Sequence, residues 1–226
     1  MRGAGQIMAV ALWLAAGAAL AQTAPNAAEI ARYDGLHRAA HDGDAEAIAR
    51  LIAAGADPDA RDSAGRTPAH VAAFASQDDA LRALADAGAD MNALEGQAYD
   101  VVTIAAVADD RALLRLALAL GNRADLITSP YDGTALIAAA HLGHADVVRQ
   151  LIAAGAPLDH VNNLGWTALM EAVVLGDGGP AHQACARALV AAGADVSIPD
   201  REGLTPLAHA ERRGYTAMAE IIRNGG

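Results

Sequence analysis

Short apolar stretches at helical spacing recur along the chain, and a glycine follows each of them. Four of these glycines, Gly55, Gly88, Gly121 and Gly155, lie 33, 33 and 34 residues apart, and Gly193 follows after a further 38. Glycine often follows the last turn of a helix because it adopts the left-handed conformation without strain. A period of about 33 residues built from helices predicts a solenoid in which each unit packs on its neighbours.

Each period also contains a signal for a first, shorter helix. Thr67 is expected to accept a hydrogen bond from a backbone N–H at the helix start, and Pro68 suits the first helical position. A second helix is expected from about Asp78 to Ala87, and the dozen residues after Gly88 are typical of a hairpin. The pattern predicts an all-α solenoid of about six helix-turn-helix units with projecting hairpin loops. The predicted units are residues 31–61, 62–94, 95–127, 128–161, 162–199 and 200–226.

The first 21 residues have a different pattern, which is typical of a secretory signal peptide. Arg2 supplies a short basic region, residues 7–20 are apolar, and Ala19-Leu20-Ala21 is a small-x-small cleavage site. The alternative is an uncleaved membrane anchor, but an apolar run of about 15 residues is short for a bilayer. We expect cleavage after Ala21, a periplasmic or secreted protein, and a capping segment at residues 22–30 before a repeat domain at 31–226.

The composition narrows the range of partners. The chain has 16 basic and 27 acidic residues and a net charge of −11, and every non-histidine cation is arginine. This balance argues against nucleic acids and anionic membrane surfaces, and it predicts a basic patch on a protein partner. The only cysteine, Cys185, cannot form an intramolecular disulfide. It is either buried and inert or linked to a partner.

The units resemble ankyrin repeats from about Ala31 to the C-terminus. The resemblance rests on Thr67-Pro68-Ala69-His70, on Gly143-His144 and on Gly193-Ala194-Asp195. It implies an L-shaped stack of helix pairs that binds protein through its hairpin tips and concave helix face. The segment 163–172, with the glycine-rich stretch after it, also resembles exported ankyrin proteins of proteobacteria, some of which are linked to peroxide defence.

Four histidines are candidates for structural or metal-binding roles. His37 and His70 occupy the last position of the Thr-Pro-Leu-His slot, where the resemblance implies hydrogen bonds to neighbouring backbone. His141 and His144 are three residues apart and could share a metal ion, but a metal site needs a third ligand and none is evident nearby. We expect His144 to cap the second helix of its unit, and we expect neither a metal nor a cofactor.

A fifth histidine lies three residues before the cysteine. His182 and Cys185 at a helix start could form an activated thiolate pair, but no third group is present to orient the imidazole. The alternative is a packed cysteine. No nucleophile elbow, phosphate loop or zinc-protease helix occurs in the sequence. We therefore expect a binding protein and not an enzyme.

Two places interrupt the period. Five extra residues fall within Gly176–His182, between the two helices of one unit. This loop either contacts a partner, binds an anion, or is a tolerated insertion. The fourth hairpin, around Leu126, Ile127 and Tyr131, is one residue longer and unusually apolar. It either anchors a partner or packs on the adjacent hairpins.

The leading hypothesis is a monomeric periplasmic module that binds a protein partner. The alternatives are an accessory factor in peroxide defence and an effector or immunity-type inhibitor. The candidate binding residues are those expected on the first-helix face, at the hairpin tips and in the insertion. They are Arg38, His41, Phe74, Tyr131, His141, Leu142, His160, Glu171, Leu175, Asp177, His182, Arg201, His209 and Arg213.

Overall fold

The computed structural model describes residues 22–225, and the predicted signal peptide lies outside these described residues. The described part contains helices and no strands. The helices are α1 (Ala27–Ile30), α2 (Gly35–Asp42), α3 (Ala45–Ala53), α4 (Pro68–Phe74), α5 (Asp78–Asp86), α6 (Val101–Val107), α7 (Arg111–Ala119), α8 (Ala135–Leu142), α9 (Ala145–Ala153), α10 (Ala168–Val174), α11 (Pro180–Ala191), α12 (Pro206–Arg212) and α13 (Thr216–Arg223). None of them is long and apolar enough to cross a membrane.

Helices α2 to α13 form six antiparallel pairs, which confirms the predicted all-α solenoid. In each pair the first helix, such as α8, packs on its own second helix, here α9. First helices also pack on the first helices of neighbouring pairs, and second helices on second helices. A hairpin precedes the first helix of each of the last five pairs. This nearest-neighbour packing is the organisation of a repeat solenoid.

The core consists of small residues in the first helices and larger aliphatics in the second. The paired alanines of the first helices are buried, and their small side chains let neighbouring helices approach closely. These pairs are Ala39-Ala40, Ala72-Ala73, Ala105-Ala106 and Ala139-Ala140. Ile48, Leu81, Leu114, Leu151 and Leu189 in the second helices are fully buried. The burial of each such side chain stabilises the fold by about 1.5–3 kcal/mol.

The glycines and threonines discussed next, which were predicted to lie at helix ends, have the expected local geometry. Gly88 and Gly155 follow second helices with φ of +84° each, a region that favours glycine. At the first helices, the hydroxyls of Thr134, Thr167 and Thr205 each accept the N–H three residues on, at 3.3, 3.2 and 3.3 Å. These bonds satisfy backbone donors that the helix itself leaves unpaired.

The five extra residues of the fifth unit are not a simple loop, which corrects the sequence-based expectation. Helix α11 has 12 residues where α9 has 9, so part of the insertion lengthens the helix and His182 lies within it. Pro180 at its first position favours this earlier start. The remaining turn packs on the next unit, because the ring of Tyr215 lies against Gly178.

The N-terminal segment is joined to the second unit by charged groups. Asn26 and Glu29 form a capping box on α1. The Arg66 guanidinium, only 2% exposed, pairs with Glu29 at 2.8 Å and with Asp62 at 2.7 Å. The Tyr33 hydroxyl donates to the same Asp62 carboxylate at 2.8 Å. These contacts bury an arginine whose charge is balanced by two carboxylates.

Candidate functional site

His70 is a structural residue of the second unit. Its Nδ1 accepts the Thr67 N–H at 3.1 Å, so its Nε2 carries the proton and donates to the Tyr99 carbonyl at 3.1 Å. Burial lowers the pKa of His70 to about 4, so the imidazole is neutral at physiological pH. The equivalent His37 bonds the Arg66 carbonyl at 3.0 Å. Both histidines therefore connect a first helix to the hairpin of the next unit.

His144 and His182 connect units in a second way. His144 is the N-cap residue of α9, as expected, but its side chain makes no capping bond, and its Nδ1 bonds the Ala106 carbonyl at 2.9 Å. The Nε2 of His182 bonds the His141 carbonyl at 2.9 Å in the same manner. A histidine near the start of a second helix thus bonds the first helix of the preceding unit.

Glu171 is buried, which corrects the expectation that it lies exposed on the first-helix face. Its side chain is 4% exposed. The carboxylate accepts the Asn162 side-chain amide at 2.9 Å and lies 3.1 Å from the His141 Nδ1. Hydrogen bonds of this kind offset the cost of burying a carboxylate. His141 itself stays 42% exposed above this carboxylate.

The other predicted residues of the first-helix face differ in exposure. Arg38 and Arg213, near the two ends of the stack, are exposed. Leu142 at the end of α8 is 42% exposed. Phe74 and Leu175 are half-buried. The central part of this face therefore exposes Leu142 beside His141, and arginines lie near its two ends.

Two further histidines at predicted sites pair with carboxylates. The Nε2 of His209 lies 2.7 Å from an oxygen of Asp200, and both side chains are largely buried. His41 in α2 is half-buried and bonds the adjacent Asp42 at 2.8 Å. Asp177 in the insertion is exposed, and its Oδ1 bonds the His182 ring at 3.0 Å. The structure does not bring these three histidines together in one site.

The predicted hairpin residues lie along neighbouring hairpins. Tyr131 is half-buried, and its carbonyl accepts the Asn163 N–H at 2.9 Å. His160 bonds the Asp132 carbonyl at 2.5 Å, and the exposed Arg201 donates to the Asn163 carbonyl. The hairpins of the fourth, fifth and sixth units are thus connected side by side. Whether Tyr131 anchors a partner stays a prediction.

The side chains that could bind a metal or act as nucleophiles do not form a reactive site within residues 22–225. No group of three histidine, cysteine, aspartate or glutamate side chains there could hold a metal ion. Cys185 is buried, and burial raises the pKa of its thiol to about 11, so it is not a thiolate at neutral pH. His182 is held by Asp177 and a backbone carbonyl.

Six helix pairs, projecting hairpins and histidines bonded to the next hairpin define an ankyrin repeat solenoid. The chain belongs to the ankyrin repeat family, because a family model described as ankyrin repeats in three copies matches residues 5–95 and 102–200. Ankyrin repeats form a protein–protein interaction fold and are typically binding modules without catalytic activity. The fold alone does not identify a partner.

Individual relatives agree with this assignment. The chain is 35% identical over 119 residues to the ankyrin repeat protein YahD of Escherichia coli K12, which covers 52% of this chain and 59% of YahD. It therefore spans less than two thirds of that relative. An ankyrin repeat domain from Acinetobacter baumannii AYE is similar with a TM-score of 0.79 and 40% identity, over 84% of this chain and 97% of that one. The ankyrin repeat protein EF0377 gives 0.76 and 32%, over 84% and 98%.

Two features of the structure were missed at the sequence level. One is the buried network of Glu29, Tyr33, Asp62 and Arg66, whose members look like ordinary surface residues in the sequence. The other is the contact of Tyr215 with the insertion. Only Pro180 after two glycines signalled that a helix begins inside the insertion.

Proposed function

We propose that this chain is a non-catalytic module that binds a protein partner after export to the periplasm. The binding surface is the first-helix face together with the hairpins. The export part of the proposal rests on the signal-like pattern of residues 1–21, which lie outside the described residues. The binding part rests on family membership and on how the exposed side chains are distributed.

One observation carries the binding proposal. The position eight residues after the first residue of the Thr-Pro-Leu-His slot, at the C-terminal end of each first helix, holds alanine, leucine or arginine, while the buried alanines of the helix core repeat. In five successive units this position holds Ala75, Ala108, Leu142, Leu175 and Arg213. A constant scaffold with varied exposed positions is the arrangement that a repeat protein uses to recognise a particular partner.

Site-specific photo-crosslinking tests this surface. A photoreactive amino acid at Leu142 or Arg213 is expected to give a discrete adduct with a periplasmic protein, which mass spectrometry then identifies. The matched control places the same group at Glu46 or Arg115, which are exposed on second helices. Equal adducts from both faces, or none from Leu142 and Arg213, would contradict the proposal.

Export is tested separately by fractionation. The chain is expected in the periplasmic fraction with Gln22 as its first residue, measured by intact mass. A cytoplasmic chain that begins at Met1 would refute this part alone. The two alternative roles use the same surface, so the captured partner distinguishes them. A peroxide-removing enzyme favours the defence role, and a toxin or a host protein favours the inhibitor or effector role.

A further inference from the structure

Exposed aliphatic side chains occur at the same place in two neighbouring hairpins. Ile127 is 51% and Val161 is 43% exposed, and apart from Leu142 they are the only large apolar residues so exposed in residues 22–225. Each directly precedes a residue that closes its hairpin. The Thr128 N–H donates to the Gly133 carbonyl at 2.9 Å, and the Asn162 N–H donates to the Trp166 carbonyl at 3.0 Å.

The same position is apolar in four successive hairpins. Leu94 is half-buried in the hairpin before Ile127, and Pro199 is exposed in the hairpin after Val161. We call Leu94, Ile127, Val161 and Pro199 the apolar column. In the hairpin before Leu94 this position holds Arg61, whose guanidinium bonds the Leu94 carbonyl at 2.6 Å. The column therefore ends at Arg61.

The hairpins that carry the column are bonded to each other. The Asn163 N–H donates to the Tyr131 carbonyl at 2.9 Å, so the fourth and fifth hairpins are held together. The Arg201 side chain joins the sixth hairpin to the fifth through the Asn163 carbonyl. These bonds fix the spacing of the exposed side chains before any partner arrives. A preorganised surface loses less conformational entropy on binding.

The surroundings of the column are strongly acidic. The five hairpin segments, residues 56–66, 89–99, 122–133, 156–166 and 194–204, carry eleven carboxylates and only four arginines. All four arginines bond carbonyls or carboxylates of this chain. Asp90, Asp132, Asp159 and Asp195 form no ion pair with any residue in 22–225. The hairpins that carry the apolar column thus also carry exposed carboxylates that lack a cationic partner.

We propose that the apolar column binds a segment of the partner protein that presents aliphatic or aromatic side chains flanked by arginine or lysine. This inference rests on the proposed protein-binding function and specifies the chemistry of its partner. Apolar contacts with Ile127 and Val161 supply affinity, and the hairpin carboxylates attract the cations. A second copy of this chain is disfavoured because its hairpins carry the same negative charge.

Defined peptides test the apolar part of this proposal. Three labelled peptides of equal length alternate leucine with lysine, leucine with glutamate, or serine with lysine, and binding is measured by fluorescence anisotropy. The leucine–lysine peptide is expected to bind most tightly. The double variant Ile127→Ser, Val161→Ser is expected to weaken that binding about tenfold or more. Ile152→Ser is the matched control, because it removes a half-buried aliphatic side chain from the second helix α9, outside the column and outside the first-helix face.

The contribution of the hairpin carboxylates to peptide binding is tested with separate variants. Asp159→Asn with Asp195→Asn removes two carboxylates beside the column and is expected to weaken leucine–lysine binding and its salt dependence. Asp78→Asn with Asp79→Asn removes the same charge from the start of α5 and is expected to leave binding within about twofold of the parent. Circular dichroism confirms that each variant is folded.

Several outcomes would overturn the inference. They are equal binding of the serine–lysine peptide, equal binding of the leucine–glutamate peptide, no binding of any peptide, and unchanged binding by the double column variant. A dimer in sedimentation that depends on Ile127 and Val161 would instead assign the column to a second copy. Adducts from Leu142 and Arg213 in the crosslinking experiment would still support the broader function in any of these cases.

Discussion

Replacement of Asp100 by threonine is expected to stabilise the fold at neutral pH. Asp100 occupies the slot that holds threonine in four other units, and it is fully buried. Its Oδ1 accepts the Thr103 N–H at 2.7 Å and the Thr103 hydroxyl at 2.6 Å, but its Oδ2 has no partner. Burial raises the pKa of this carboxyl above its ordinary value.

The size and the pH dependence of the effect follow from this environment. A buried polar atom without a hydrogen bond costs about 1–3 kcal/mol, so Asp100→Thr is expected to recover about that amount at pH 7. Because the folded-state pKa is raised, the carboxyl costs stability above its unfolded pKa of about 4 and costs little below it. The gain from Asp100→Thr should therefore shrink as the pH falls towards 3.5.

The assay is urea unfolding of the parent and of the variant at pH 7 and at the lowest pH at which both remain folded. In thermal unfolding, a gain of about 2 kcal/mol would raise the Tm by about 4–8 °C for a chain of this size. Asp34→Thr is the control, because Asp34 occupies the same slot of the first unit but is exposed. A loss of stability in Asp100→Thr, or an equal gain at both pH values, would refute the reasoning.

Three further predictions concern stability measured by the same unfolding assay. Gly178→Ala is expected to lower the free energy of unfolding by more than about 2 kcal/mol, because Gly178 has φ of +72° and the added Cβ would lie 2.6 Å from the Tyr215 ring. Gly203→Ala is the control: Gly203 has φ of +81° with no atom near the added Cβ, so the loss should be only about 1 kcal/mol. Arg66→Gln is expected to cost about 3–5 kcal/mol because it leaves two carboxylates without their cation, and a neutral result would contradict this account. His70→Asn is expected to cost about 1–3 kcal/mol at pH 8 and up to about 1 kcal/mol less at pH 6, because folding keeps His70 neutral while the unfolded imidazole, with a pKa of about 6.5, gains a proton at pH 6. An equal cost at both pH values would contradict the lowered pKa of His70.

Helix ends could be predicted from the sequence because their causes are local. Gly88 and Gly155 end helices through their own backbone freedom, and Thr167 caps α10 through an N–H three residues on. The family motif added the register of the units. None of these signals depends on residues in another unit, which is why the fold class was predictable from one sequence.

The environment of Glu171 could not be predicted in the same way. Its burial involves Asn162, nine residues away in the hairpin of its own unit, and His141, thirty residues away in the preceding unit, which meets it only once the units stack. Arg66 likewise became a buried residue because Glu29 from the capping segment reached it. Pairings between units decide which polar residues are exposed, and a repeat pattern alone does not encode them.

The apolar column is a better place to look for function than the five-residue insertion of the fifth unit. The inserted residues already have contacts within the chain. The Tyr215 ring lies against Gly178, and His182 bonds the first helix of the preceding unit. An insertion used in this way connects units and leaves few groups for a partner. Ile127 and Val161 keep the repeat spacing, yet they expose aliphatic surface that gains nothing for the folded chain. Exposed apolar surface at repeated positions favours binding to another molecule.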